Sequence, residues 1–155
     1  MSDRPIFLFD ACAVVAVLLG ETGGAAAAKL LSDGSDCRVT GVIVSEAAYV
    51  LLRVGADAAG LQQDIDSMGL TPTEVPDECG VLAANLRHRH AGLSTADALH
   101  LAVAQHHGWV LVSADGALLL AAHLDGTSMH VIANSAGVIW FPPIPRESSA
   151  MPRKT

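Results

Sequence analysis

The stretch Ser94–Leu118, STADALHLAVAQHHGWVLVSADGAL, holds in order a helix, a strand and the start of a second helix. Ser94 or Thr95 can cap a helix running to about His106, with Leu99, Ala102 and Val103 at helical spacing. Trp109–Ser113, WVLVS, is a short apolar strand, and GALLLAAHL after Asp115 is helical. Asp97 falls in the first turn of the first helix and Asp115 in the loop after the strand. Carboxylates beside buried apolar surface are costly, so the placement of these two needs a compensating interaction.

The same alternation extends in both directions. Ile6–Phe9 reads as a buried strand closed by Asp10, leading into a helix from about Ala13. GGAAAAKLLSDG is a short helix and CRVTG a short strand. VSEAAYVLLRV is a helix whose Ala47, Val50, Leu51 and Val54 form a core-facing stripe, with Glu46 at its start. GLTPTEVP is a strand candidate weakened by Pro72, and ECGVLAANLRHRH a helix with Val81, Leu82 and Leu86 turned inward. HVIA closes the series as a last strand. Strands alternating with helices predict a three-layer α/β/α domain around a parallel sheet of about five strands. That domain is expected over residues 1–141, followed by a proline-containing, flexible tail over 142–155.

Composition agrees. With 155 residues, 51% hydrophobic and 16% charged, the chain suits one domain with a packed interior and some apolar surface left for a partner. ACAVVAVLLG is too short to span a bilayer, so no membrane association is expected. Cys12, Cys37 and Cys79 form an odd set without CxxC spacing, which disfavours a disulfide framework and a structural zinc site and points to a reducing cytoplasm. The formal net charge of −7 argues against nucleic-acid binding unless clustered carboxylates are neutralised by metal ions.

In a parallel α/β sheet, ligands bind beyond the carboxyl ends of the strands. Asp10, Glu46, Asp97 and Asp115 all map to that edge. Singly, each has a structural role: Asp10 and Asp97 as helix-start acids, Asp115 as a turn residue before glycine, Glu46 as a solvated helix residue. Gathered within roughly 6 Å they would repel by several kcal/mol per close pair at an effective dielectric of about 20. Oxygen ligands without paired cysteines suit Mg²⁺ or Mn²⁺.

Three segments, FLFDACAVVAVLLGE, VTGVIVSEAAYVLLR and LSTADALHLAVAQHHGWVLVSADGAL, resemble the PIN-domain nucleases, especially the VapC-like toxins of toxin–antitoxin pairs. The resemblance covers roughly Asp10 to Ala122, and the segments keep the family's order and spacing. It implies an endoribonuclease in which Asp10, Glu46, Asp97 and Asp115 are the catalytic acids. Asp10, Asp97 and Asp115 among them would hold one or two Mg²⁺ or Mn²⁺ ions. It also implies an antitoxin protein as partner, RNA as substrate and a homodimer. Ser113 matches the family's small hydroxyl residue before the last acid. Cys12 departs from the pattern, standing where the family usually has Ser or Thr. A thiol donates hydrogen bonds poorly, so either catalysis is slower and the preferred ion different, or Cys12 is a small packed residue.

Other signals point less sharply. His88, His90, His106 and His107 fall at helix ends, where histidine satisfies final carbonyls, and no HExxH motif supports zinc. His100 shares a helix with Asp97 and reads more readily as a packed or capping residue than as part of the site. Arg53, Arg87 and Arg89 are candidate phosphate contacts, against a solvated helix face. Trp109 and Trp140 form no stacking platform, so substrate sequence is not legible. A haloacid-dehalogenase-like phosphatase would need a second acid where Cys12 stands, and a receiver-like domain would need a lysine after a strand that this chain lacks. A non-catalytic PIN-like binding module is the rival from another class, and the four acids argue against it.

Overall fold

Ile6–Phe9 forms strand β1 at the centre of the sheet, and its last two residues, Leu8 and Phe9, point to opposite faces yet are both fully buried. That double burial is why the strand is uniformly apolar instead of alternating. The computed structural model describes residues 3–145. From β1 the chain continues through α1 (Ala11–Leu19), α2 (Gly24–Ser32), β2 (Asp36–Thr40), α3 (Gly41–Arg53) and α4 (Ala58–Asp66). It then forms β3 (Thr71–Thr73), α5 (Cys79–Arg89), α6 (Thr95–His107), β4 (Val110–Ser113), α7 (Gly116–Leu124) and β5 (Met129–Val131).

The five strands are parallel in the order β3-β2-β1-β4-β5, with Leu8 beside Arg38 of β2 on one side and Leu111 of β4 on the other. The expected α/β/α architecture is therefore present. The chain runs outward from β1 to β3, returns, and runs outward again through β4 and β5. The crevice beyond the carboxyl ends of β1 and β4 is thus the topological switch point, the place where this class of sheet binds ligands.

Helix ends behave as their residues dictate. Ser94 caps α6 by accepting the Asp97 N–H at 3.0 Å, and Gly108, at φ +68°, ends it in the left-handed conformation that glycine adopts without strain. Pro72 lies in the edge strand β3, where its missing N–H costs little. No single helix among the described residues is long and apolar enough to cross a membrane.

Several expectations need correction. Helix α1 starts at Ala11, two residues early, because Asp10 itself is the cap. Helix α4 was not anticipated. On α3, Ala47 and Leu51 face the core, but Val50 and Val54 do not, and Val54 is 62% exposed. On α5 the buried stripe is Cys79, Ala83 and Leu86, whereas Leu82 is half-buried and Val81 is 73% exposed. In both helices the apolar residues outnumber those the core can cover, so spacing alone could not select the buried arc. Of the expected tail, Pro142–Pro145 carry no regular structure and residues 146–155 lie outside the described residues.

Candidate metal centre

Asp10 follows β1 directly and is almost fully buried. Its Oδ1 accepts the Ala11 N–H at 2.7 Å, and its Oδ2 accepts the Ser113 hydroxyl at 2.8 Å and the Cys12 thiol at 3.2 Å. Ser113, the last residue of β4, also accepts the Asp115 N–H at 3.0 Å. One buried hydroxyl therefore ties the first acid to the backbone of the last across 103 residues of chain.

Cys12 belongs to this network. Besides donating to Asp10, its sulfur accepts the Ala114 N–H at 3.3 Å and lies 3.5 Å from the Ser113 oxygen. Burial first, and the charge of Asp10 second, push the thiol up to about 12. It therefore stays protonated and serves as a donor to Asp10. The packed-residue reading is incomplete: Cys12 occupies the hydroxyl's place in the network, with a longer bond.

Helix α6 brings two residues to the same crevice. Asp97 in its first turn is half-buried, and one turn on, the fully buried His100 points its Nε2 at Glu46 Oε2, 2.7 Å away, and at Asp10 Oδ1, 3.6 Å away. Ligand atoms of Asp10, Asp97 and His100 all lie within 4.8 Å of one another. Burial, then the charges of Asp10 and Asp115, hold the Asp97 carboxyl above the usual carboxylate range despite the hydrogen bond at Ser94. The cluster is therefore short of positive charge, and its carboxylate oxygens fit a hard divalent cation, with His100 beside them as a hydrogen-bonding partner of Glu46.

The four sequence-predicted acids are not equivalent. Asp10 and Asp97 sit in the tight group, and Glu46 joins it through His100. Asp115 is exposed, caps α7 by accepting the Leu118 N–H at 2.9 Å, and stands outside that group although its charge reaches Asp97. His100 is the residue that sequence reasoning undervalued. Its partner Glu46 lies 54 positions away, and only the fold juxtaposes them.

A model of one family, described as the PIN domain, matches residues 7–124. The chain belongs to the PIN-domain family. No curated protein matches it. Among solved structures, this PIN domain is similar to a chain of the Rickettsia felis VapBC2 complex bound to a DNA fragment from its promoter. The match has TM-score 0.60 and 13% identity, covering 81% of this chain and 97% of that one. It is also similar to a chain of FitAcB from Neisseria gonorrhoeae, with TM-score 0.58, 16% identity and coverage of 80% and 96%. A chain of a toxin–antitoxin complex from Klebsiella pneumoniae aligns with TM-score 0.56, 17% identity and coverage of 70% and 85%. At these identities the likeness establishes the fold.

The candidate phosphate contacts divide within this PIN domain. Arg87 donates to the Leu93 carbonyl and the Thr95 hydroxyl, and Arg89 pairs with Asp125 at 3.0 Å, so both are committed to internal contacts. Arg53 makes no hydrogen bond or ion pair among the described residues, its guanidinium lying 5.8 Å from the Tyr49 ring centre. His90 pairs with Asp125 and His107 stacks on Trp109, in keeping with the structural reading of the histidine pairs.

Proposed function

We propose that the chain is a Mg²⁺- or Mn²⁺-dependent endoribonuclease and acts as the toxin of a toxin–antitoxin pair. The observation that carries this is the convergence of the Asp10 and Asp97 carboxylates and the His100 ring, with atoms all within 4.8 Å of one another, at the switch point of a PIN domain. Asp10 and Asp97 would hold the ion, with Asp115 beside them. Such an ion lowers the pKa of water and offsets charge on a phosphodiester. The chain's own residues do the rest. Ser113 and Cys12 fix the Asp10 carboxylate, His100 holds Glu46 over the site, and the Ser94 cap sets the first turn that presents Asp97.

The toxin role draws support from the assemblies in which the similar structures occur, and from uncovered apolar surface. Tyr49 on α3, the helix that carries Glu46, and Val54, which caps its C-terminus, are each 62% exposed, as a face awaiting a protein partner would be. Three unpaired cysteines accord with work in a reducing cytoplasm.

The test is cleavage of single-stranded RNA and DNA by the wild-type chain and by Asp97→Asn, with Mg²⁺, Mn²⁺ or a chelator. RNA cleavage that needs the ion and disappears in the variant supports the reading; a folded wild-type chain that cuts RNA in neither ion overturns it. Growth arrest on expression, relieved by the neighbouring small reading frame, tests the toxin role separately.

A further inference from the structure

A cavity of about 300 Å³ opens beside the acids. Cys12 and Asp115 join it to the cluster, Val15, Ala16 and Val50 supply apolar wall, and Glu21 and Asn134 supply polar groups. Its volume is at the lower end of small-molecule sites and admits a planar ring system.

The two polar residues are held in place by the fold. Asn134 Oδ1 accepts the N–H groups of Ala136 and Val138 at 3.0 and 2.9 Å, which leaves its amide nitrogen as the free end. Two residues earlier, Ile132 is tied to β4 by its N–H to the Ser113 carbonyl at 3.0 Å. The segment carrying Glu21 is pressed against this loop at Gly23, where a Cβ would lie 2.0 Å from the Ala133 oxygen. Only glycine permits that approach, so Glu21 and Asn134 belong to one preformed wall. Among the described residues, neither the Glu21 carboxylate nor the Asn134 amide nitrogen has a hydrogen-bond partner.

We infer that this cavity takes one unstacked guanine base of an RNA substrate, read by Glu21 and Asn134, beside the phosphodiester held at the acids. The inference rests on the nuclease reading above. A carboxylate offers acceptors only, and the free end of Asn134 offers donors only. The occupant must therefore bring donors next to an acceptor. Guanine is the base whose pairing edge sets two adjacent N–H donors beside a carbonyl oxygen. Adenine and cytosine bring one donor site, and uracil places its single N–H between two acceptors. An arginine side chain from a protein partner would satisfy Glu21 but set its N–H groups against those of Asn134. Single-stranded RNA is recognised in this way, by splayed bases read on their edges.

The test uses short single-stranded RNAs differing at one position in guanine, inosine or adenine, bound in Mg²⁺ to the Glu46→Gln chain, which keeps the Asp10 and Asp97 carboxylates, and followed by fluorescence anisotropy. The wild-type chain is mapped for cleavage on the same RNAs. Guanine should bind ~10-fold tighter than adenine, with inosine, which lacks the 2-amino group, in between. Glu21→Gln and Asn134→Asp should each erase that preference. The aspartate keeps both loop hydrogen bonds, replaces the donor by an acceptor and adds a negative charge, so the guanine-to-adenine ratio and not the overall affinity is the readout, and thermal melts verify folding. No preference in the parent protein, or one unchanged in both variants, overturns the assignment. So does a preference that persists while either variant loses affinity for a protein partner. A guanine preference sensitive to Glu21→Gln, in a protein whose wild type cuts no RNA, would sink the nuclease reading and leave the pocket standing.

Discussion

His100 Nε2 stands between two carboxylates, 2.7 Å from Glu46 Oε2 and 3.6 Å from Asp10 Oδ1. Both neighbours are acceptors, so this nitrogen carries the proton and donates to Glu46. The ring joins α6 to α3 and sets where the Glu46 carboxylate sits relative to the group formed by Asp10 and Asp97.

Replacing His100 by leucine removes that donor while keeping an apolar body of similar size. We expect ion affinity and RNA cleavage to fall roughly 10- to 100-fold, the usual consequence of losing an outer-shell partner of a metal site. His100→Gln, which can still donate, should recover part of the loss. Calorimetric titration of Mn²⁺ separates ion binding from catalysis, and equal affinities in all three proteins would refute the positioning role.

Asp97→Asn should kill cleavage yet raise the melting temperature of the ion-free protein near neutral pH. Burial and the charges of Asp10 and Asp115 hold the Asp97 carboxyl above its ordinary range, so its ionised form costs folding free energy. For an acid with a raised folded pKa, the cost is absent below the unfolded value of about 4. It grows as pH rises to the folded value and is constant beyond. The two proteins should therefore melt alike in acid and diverge as pH rises, by a few degrees at this half-exposed position. Excess Mg²⁺ should stabilise the wild type by mass action, by about 2.7 kcal/mol at a hundredfold excess over Kd, and so raise its melting temperature while leaving the variant's nearly unmoved.

Cys12 lines the cavity, but a thiol held at about 12 offers almost no thiolate at neutral pH. Iodoacetamide at pH 7.5 should leave it unmodified for far longer than a cysteine in a short peptide, as read by mass spectrometry. Cys12→Ser should preserve the bond to Asp10 with a shorter donor and give equal or several-fold tighter ion binding. Cys12→Ala should weaken it, and an alanine variant indistinguishable from wild type would mean that the thiol only fills space.

Away from the site, Asp125 collects Gln105, His90 and Arg89. Burial alone would raise its carboxyl, but these donors and charges outweigh burial and hold it below the usual range. A depressed folded pKa contributes stability above the unfolded value of about 4, and that contribution is lost as pH falls through the folded one. Asp125→Ala should cost about 1–3 kcal/mol in urea unfolding at pH 7, less toward pH 3, with Mg²⁺ affinity unchanged.

The central strands were legible because both faces of β1 and β4 are covered, which forces the uniform apolar runs of Ile6–Phe9 and Val110–Ser113. Helix α4 was not, because only Leu61 and Ile65 anchor it and the residues between are glutamines and an aspartate. The acids were legible as a set, since each ends a strand or lies in the first half of a helix. The separation of Asp115 from the tight group, and the entry of His100 into it, depend on side-chain direction and on a contact spanning 54 residues. Local spacing carries no information on either.

The pairing of Phe7 with Val110 has a consequence for biosynthesis. Asp10 leaves the ribosome well before the hydroxyl that orients it, which belongs to Ser113, 103 positions further along the chain. Closing so long a loop between parallel strands is slow and non-local. A nascent chain halted before β4 would hold Asp10, Glu46 and Asp97 in covalent sequence without assembling a site. The Asp10 carboxylate is in this sense left unoriented until β4 has been made.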